Sequence, residues 1–308
     1  MMSQIALRIL ETPDEMATVE NLQRLIWPGS EVDIVPAHLL LAVVHNGGLV
    51  IGAYRSEPSS SAELYDPLTG LSFIGFVFGF PGLYQTPDGP RIKHCSHMLG
   101  VDPAQRDQGI GFSLKRAQWQ MVRRQGMDLI TWTFDPLLSR NAHLNISKLG
   151  TVCSTYLREV YGEMRDGINA GLPSDRFQVD WWLNTQRVNR RLSRQARHSL
   201  DLAHYFAAGA EVVNPSIIDE DGHPHPATGQ WEPQGVNGEY QSLLLVEIPS
   251  DFTALKAINP ALALEWRMHA RHLFETLFAT GYLVTDFLHL PGTHPRSFYV
   301  LSHGDSTL

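Results

Sequence analysis

Gly109 and Gly111, one residue apart, close the polar run Arg106-Asp107-Gln108-Gly109-Ile110-Gly111 and open an amphipathic segment. Glycines between a strand and a helix let main chain approach an anion with no Cβ in the way. The first turn of the helix adds unpaired N–H groups at the positive end of its dipole. A dinucleotide fingerprint would need a third glycine where position 114 is Leu. A nucleoside-triphosphate loop would close on Gly-Lys-Ser/Thr, whereas Phe112 follows Gly111. Two readings remain. One is a pyrophosphate seat of main chain from about Arg106 to Gly111; the other is a turn whose glycines serve geometry alone.

Other chemistry-bearing residues point less far. His223 and His225 stand two apart in "GHPHP", like half a metal site, with no cysteine or carboxylate nearby at ligand spacing, so no metal is expected. The basic run "RRLSRQAR" reads as a solvated helix face. Trp181, Trp182 and Trp266 read as packing residues.

The elements that would carry the turn follow from periodicity and punctuation. "IALRIL" reads as a strand, and "TPDEMATVENLQRLIW" as a helix with Thr12 as cap and Pro13 in its first turn. "GGLVIGAY" and "LSFIGFVFGF" read as strands, with "PGLYQTPDGP" as the connection to an antiparallel "IKHCSHMLGV". The helix after the turn places Ile110, Leu114, Ala117 and Met121 inward and Lys115, Arg116, Arg123 and Arg124 on its surface. A strand "DLITWTF", a helix closed by Gly150, and strands "TVCSTYL" and "DRFQVDWWL" complete this part. Beyond Leu183 come a basic helical connector and a long loop "DEDGHPHPATGQWEPQGVNGE". A strand, the helix "PALALEWRMHARHLFETLFATG" and two more strands end the chain. The expected division is a core at 1–184 and an α/β extension at 185–308.

The whole chain, 308 residues, suits one large domain or two, with 43% hydrophobic residues to build a core. A net charge of −8 argues against a broad basic surface for nucleic acid, though not against a local anion pocket. No apolar run approaches the roughly 20 residues needed to span a bilayer. The start lacks a signal-peptide pattern, and Cys95 and Cys153 give no disulfide framework. Together these features read as a cytoplasmic protein without a membrane partner.

The strand "HMLGVDPAQR" running into the glycine turn resembles the acyl-CoA-binding motif of the GCN5-related N-acetyltransferases, the GNAT superfamily. "SRNAHLNISKLG" is similar to that family's next helix, and the strand order around both agrees. The likeness covers about Ile5 to Leu183. The tail resembles a little-described bacterial branch of such acetyltransferases. The fold implied is a mixed, splayed central sheet flanked by helices, with the C-terminal α/β unit added.

The resemblance also implies roles. Acetyl-CoA would be the co-substrate, its pantetheine arm meeting the backbone of Leu99, Gly100 and Val101 and the side chain of Asn141. Its pyrophosphate would rest on Arg106, Asp107, Gln108, Gly109, Ile110 and Gly111, with Arg140 in reach of phosphate. The reaction would be direct attack of an amine on the thioester. Where the family often has a carboxylate base on the strand, this chain has "KHCSHMLG", and His97 is the best substitute, His94 pointing to the other face. The family's tyrosine donor to the departing thiolate falls on Ile146, so Tyr156 or Cys153 is the nearest replacement, or water. The leading expectation is acetyl transfer to a small acceptor, with a homodimer left open. Its rivals are a non-catalytic acyl-CoA-binding module and an oligomerisation protein on a retained fold.

Overall fold

The computed structural model describes residues 5–29, 31–56, 61–66, 69–162, 171–193, 200–227 and 240–304. The chain forms two compact units, the first running to Trp132 and the second beginning at Thr133.

In the first unit, β1 (Ala6–Ile9) leads into α1 (Pro13–Ile26), and Thr12 and Glu15 form a reciprocal capping box at the junction. After α2 (Ala37–His45) come β2 (Leu49–Arg55), β3 (Tyr65–Asp66), β4 (Leu71–Thr86) and β5 (Gly89–Val101). Then follow α3 (Ile110–Arg124) and β6 (Leu129–Phe134), within which the unit boundary falls. The sheet order is β1-β2-β4-β5-β6, antiparallel except for the parallel β5–β6 pair; β3 pairs with β4. Alternation along β4 sorts its two faces. Phe76 and Phe78 join Met16, Val19, Leu22 and Ile26 of α1 in one core. A Cβ at Gly75 would touch Ile110 and Leu114 of α3 on the other face.

Two expectations are corrected here. "PGLYQTPDGP" is not a loop: β4 runs on to Thr86, and β5 starts at Gly89, giving a long antiparallel hairpin with a two-residue turn. Lys115 is not on the surface of α3 but 2% exposed. The inward stripe of α3 is wider than the apolar positions alone, taking in Lys115, Gln118 and Val122 at helical spacing.

In the second unit, α4 (Ser139–Ala142) continues as a π-type turn over His143–Lys148, and Gly150 ends the segment at φ +79°. Next come β7 (Val152–Leu157), β8 (Arg176–Trp182), α5 (Gln186–Leu192), α6 (Leu202–Ala207) and β9 (Glu211–Val212). The expected long loop holds a small antiparallel hairpin, β10 (Ile217–Ile218) with β11 (Pro224–His225). Its remainder from 228 to 239 lies outside the described residues, as do 194–199 of the basic connector. The chain ends with β12 (Leu243–Ile248), α7 (Phe252–Ile258), α8 (Pro260–Ala279), β13 (Leu283–Leu290) and β14 (Arg296–Ser302). Strands run β8-β7-β13-β14-β12-β9, with the β12–β9 pair parallel. Trp181 and Trp266 are fully buried, as packing residues should be, with indole N–H groups on the carbonyls of Leu149 and Pro224.

Both units are therefore mixed α/β, with helices flanking mixed sheets. The order strand, helices, three long strands, helix, strand, helix, two strands is the one expected from sequence. β7 and β8 share a sheet with the C-terminal strands.

Candidate functional site

The site begins with β5. It pairs with β4 from Thr86↔Gly89 to Gly75↔Val101, but with β6 only at His94↔Ile130 and Cys95↔Thr131. From Ser96 to Val101 the edge towards β6 has no ladder partner among the described residues. Unpaired N–H and C=O groups on a strand want another extended partner. Leu99, Gly100 and Val101 lie on that open length. At Gly100 a Cβ would come within 2.7 Å of both Ile26 and Phe76, so the glycine lets β5 lie close over α1.

The strands part beside a bulge. The β4–β5 register slips between Phe78↔Met98 and Gly79↔Ser96, leaving His97 as the extra residue. Its ring packs against Phe78 and Phe80, at 5.8 and 5.9 Å between centroids. The residue is exposed, and the partial burial of its ring against these aromatics moves its pKa below the usual imidazole range, towards the neutral form a base needs. His94 lies on the opposite face, fully buried, its Nε2 accepting from Gln118 Nε2 at 3.2 Å. Burial drives His94 down to about 3, with the nearby Lys115 amine contributing. A Cβ at Gly79 would collide with His94 Nε2 and lie 2.6 Å from the Cys95 carbonyl, so only glycine fits there.

Past Val101 the chain builds the turn. Asp102 is buried, its carboxylate accepting from the Ala104 N–H at 3.0 Å and its own N–H tied to the Ile74 carbonyl at 2.9 Å. Asp107 adopts φ +64° and Gly109 φ +77°; the second is natural for glycine, while the first is strained for a carboxylate residue. A Cβ at Gly109 would meet nothing within 4 Å, so its glycine is required by backbone angle and not by space. Gly109 is the N-cap of α3 and makes no side-chain cap. The N–H groups of Ile110, Gly111 and Phe112 thus keep the open donors and positive dipole end that an anion seat requires.

Sequence reasoning missed the group beneath this turn. Arg55, at the end of β2 and 5% exposed, donates to Gln105 Oε1 at 3.0 Å and to Gln108 Oε1. The Gln108 side chain is drawn inward onto a buried guanidinium whose Nη1 donates to both glutamine oxygens. The one available signal was a charged residue closing an otherwise apolar strand, "LVIGAYR".

The remaining expected residues belong to the second unit. Arg140 and Asn141 sit on α4, exposed and half-buried. Ile146 is fully buried, filling a core place. The Tyr156 hydroxyl donates to Asp175 Oδ2 at 2.8 Å, and burial with that carboxylate raises its pKa. Arg271 holds both oxygens of the same Asp175. Cys153 is buried with its thiol pKa pushed up, unfavourable for a thiolate. His223 and His225 both face Asp219, His225 Nε2 at 2.9 Å, in a part-exposed turn. Among the described residues no group of three side chains is placed to hold a metal ion, and no helix is long and apolar enough to cross a membrane.

No protein-family model matches the chain, and no curated protein matches it. Solved structures do. Arabidopsis thaliana NAA60 in complex with acetyl-CoA is 18% identical, covering 58% of this chain and 99% of its own, at a TM-score of 0.43. The ribosomal-protein-S18-alanine N-acetyltransferase of Escherichia coli is 11% identical, covering 63% and 100%, at 0.41. An acetyltransferase of the GNAT family from Streptococcus pneumoniae is 13% identical, covering 57% and 98%, at 0.40. At such identity the likeness is silent on what this chain acts on. The chain is similar to acetyltransferases of the GNAT family, and the similarity is one of fold.

Proposed function

We propose that the chain is an acyl-CoA-dependent acyltransferase of the GNAT type, moving an acetyl group from acetyl-CoA to an amine of a small acceptor. The observation that carries this reading is the open edge of β5 leading straight into an uncapped helix N-terminus behind a left-handed glycine. The first is a partner for an extended amide-bearing arm; the second is a seat for phosphate. Arg55 fixes the turn from below, so Gln108 is engaged inward and its loop presents main chain. His97, neutral and on the bulge, would take the proton from the attacking amine, and a β5 backbone N–H would polarise the thioester oxygen. Acetyl-CoA supplies the activated acyl group; no metal is required by the scheme.

The segment 1–184 is the part to which this reading applies, with 185–308 as an extension that shapes acceptor choice. Asn141, Arg140 and Tyr156 enter as further cofactor and catalytic contacts on the resemblance alone, and a cytoplasmic setting belongs to the same proposal. A second reading, a non-catalytic acyl-CoA-binding module, is favoured by Ile146 in place of a donor and by the lack of a carboxylate on the C-terminal half of β5. Thiol release from acetyl-CoA in the presence of a panel of primary amines separates them. Amine-dependent release supports transfer; saturable acetyl-CoA binding with no release above background supports the module.

A further inference from the structure

Lys115 is the residue least explained by the fold. It is 2% exposed, and its amine stands where β5 and β6 part. Nζ donates to Ser96 Oγ at 2.7 Å, on the first β5 residue beyond the last paired one, and sits 3.5 Å from the ring centroid of Trp132 on β6. Ser96 donates in turn to Gln118 Oε1 at 2.9 Å, and Gln118 donates to His94, whose Nδ1 is buried without a hydrogen-bond partner. The amine therefore bridges the two strands at the closed end of their opening, pinned on one side by a hydroxyl and on the other by an indole face.

Among the described residues its surroundings hold no carboxylate counter-charge. β5 offers His94 and Cys95, β6 offers Trp132, and the β4 positions turned to α3, Gly75 and Gly79, carry no charge. Burial pushes Lys115 well below the usual ammonium range, and the Cys95 thiol is the group opposing that shift. The Trp132 face favours the charged form, but a neutral ring offsets only part of what burying an ammonium without a counter-charge costs. A lowered pKa makes this ammonium a readier proton donor than an ordinary lysine.

Resting on the acyltransferase reading above, we propose that Lys115 is the catalytic residue that protonates the departing thiolate, the role for which the chain has Ile146 where a tyrosine was expected. As the acceptor nitrogen bonds to the acyl carbon it sheds one proton. The C–S bond breaks with its electron pair passing to sulfur. Lys115 delivers a proton to that sulfur while His97 takes the one the nitrogen shed, so amide and thiol are released, and exchange of one proton with solvent at each side chain returns both to their starting forms. A cation next to a nascent thiolate is stabilising whichever proton moves first.

The test needs no acceptor. The chain has four lysines, 93, 115, 148 and 256, so each 13Cε resonance of lysine-labelled protein can be followed against pH. Lys115→Met assigns the signal, and if that variant does not fold, Lys93→Arg, Lys148→Arg and Lys256→Arg assign it by elimination. The titration is run on free protein, with coenzyme A, and with desulfo-coenzyme A, which lacks the thiol. The expected result is that Lys115 titrates below the other three, that both compounds bind, and that only coenzyme A moves its midpoint upward. Equal midpoints with both bound compounds, or an ordinary lysine midpoint in free protein, overturn the proposal while leaving the acyl-CoA reading standing. Binding of neither overturns that reading, and this proposal with it.

Discussion

Replacing Arg55 tests whether the glycine turn is a built seat. Its guanidinium is 5% exposed and holds Gln105 at 3.0 Å together with Gln108. Hydrogen bonds from a charged donor contribute about 1.5–3 kcal/mol each. In Arg55→Met the Gln108 side chain can turn to water, because that residue is exposed, whereas Gln105 is buried and its Oε1 keeps only the long 3.5 Å contact from Gln108 Nε2. The expected loss is about 3 kcal/mol of stability, the larger share from Gln105. At about 2–4 °C per kcal/mol for a chain of this size, the melting midpoint should fall by about 6–12 °C. Freed from its anchor, the loop must be ordered by the ligand, and an ordering cost near 1.4 kcal/mol weakens coenzyme A binding about tenfold. Arg55→Lys should fall between, since both acceptors are held by one guanidinium nitrogen, Nη1, and an ammonium on a shorter side chain has the donors but must reach the same place. Calorimetric titration of coenzyme A into folded Arg55→Met reads the effect. Affinity within about twofold of the parent would show that the turn holds its shape unaided, and the reasoning fails.

Three further outcomes follow from the same geometry. Gly109→Ala should cost about 1 kcal/mol through its φ of +77° alone, nothing else crowding the site, and weaken coenzyme A binding several-fold in the same titration. His97→Ala should lower amine-dependent thiol release by on the order of a hundredfold with cofactor affinity unchanged. Because desolvation lowers the His97 pKa, release in the parent should persist to lower pH than an ordinary histidine near 6.5 would permit; equal release in His97→Ala assigns the ring to structure. His94 gives the pH dependence of stability. Its folded pKa of about 3 lies below the ordinary imidazole value near 6.5, so the unfolded chain binds the extra proton and stability falls as pH drops through that window. The slope is about 1.4 kcal/mol per pH unit, and urea unfolding of His94→Gln should lack that part of the decline.

What the sequence disclosed and what it hid divide along physical lines. Thr12 and Pro13 marked the start of α1 because capping is local chemistry, written in adjacent residues. The glycine turn and the alternation of Phe177, Val179 and Trp181 were legible for the same reason. The extent of β4 and β5 was not, since Pro81 and Gly82 read as breakers while the hairpin pairing that overrides them is made with residues 93 and 94. Lys115 and Arg55 were hidden because charge suggests solvent, and only the fold brings Ser96 and Trp132 to one and Gln105 and Gln108 to the other. Ile146 was the opposite case: a missing tyrosine visible in the sequence, with the residue that could replace it evident only in three dimensions.

The central claim is that the open β5 edge and the turn behind it hold acyl-CoA. Isothermal titration of acetyl-CoA into the purified protein, with NADH and ATP as controls, tests it most directly. The account expects saturable binding of one acetyl-CoA per chain and no comparable binding of either control. A folded protein that binds none of them, or binds all alike, would contradict it.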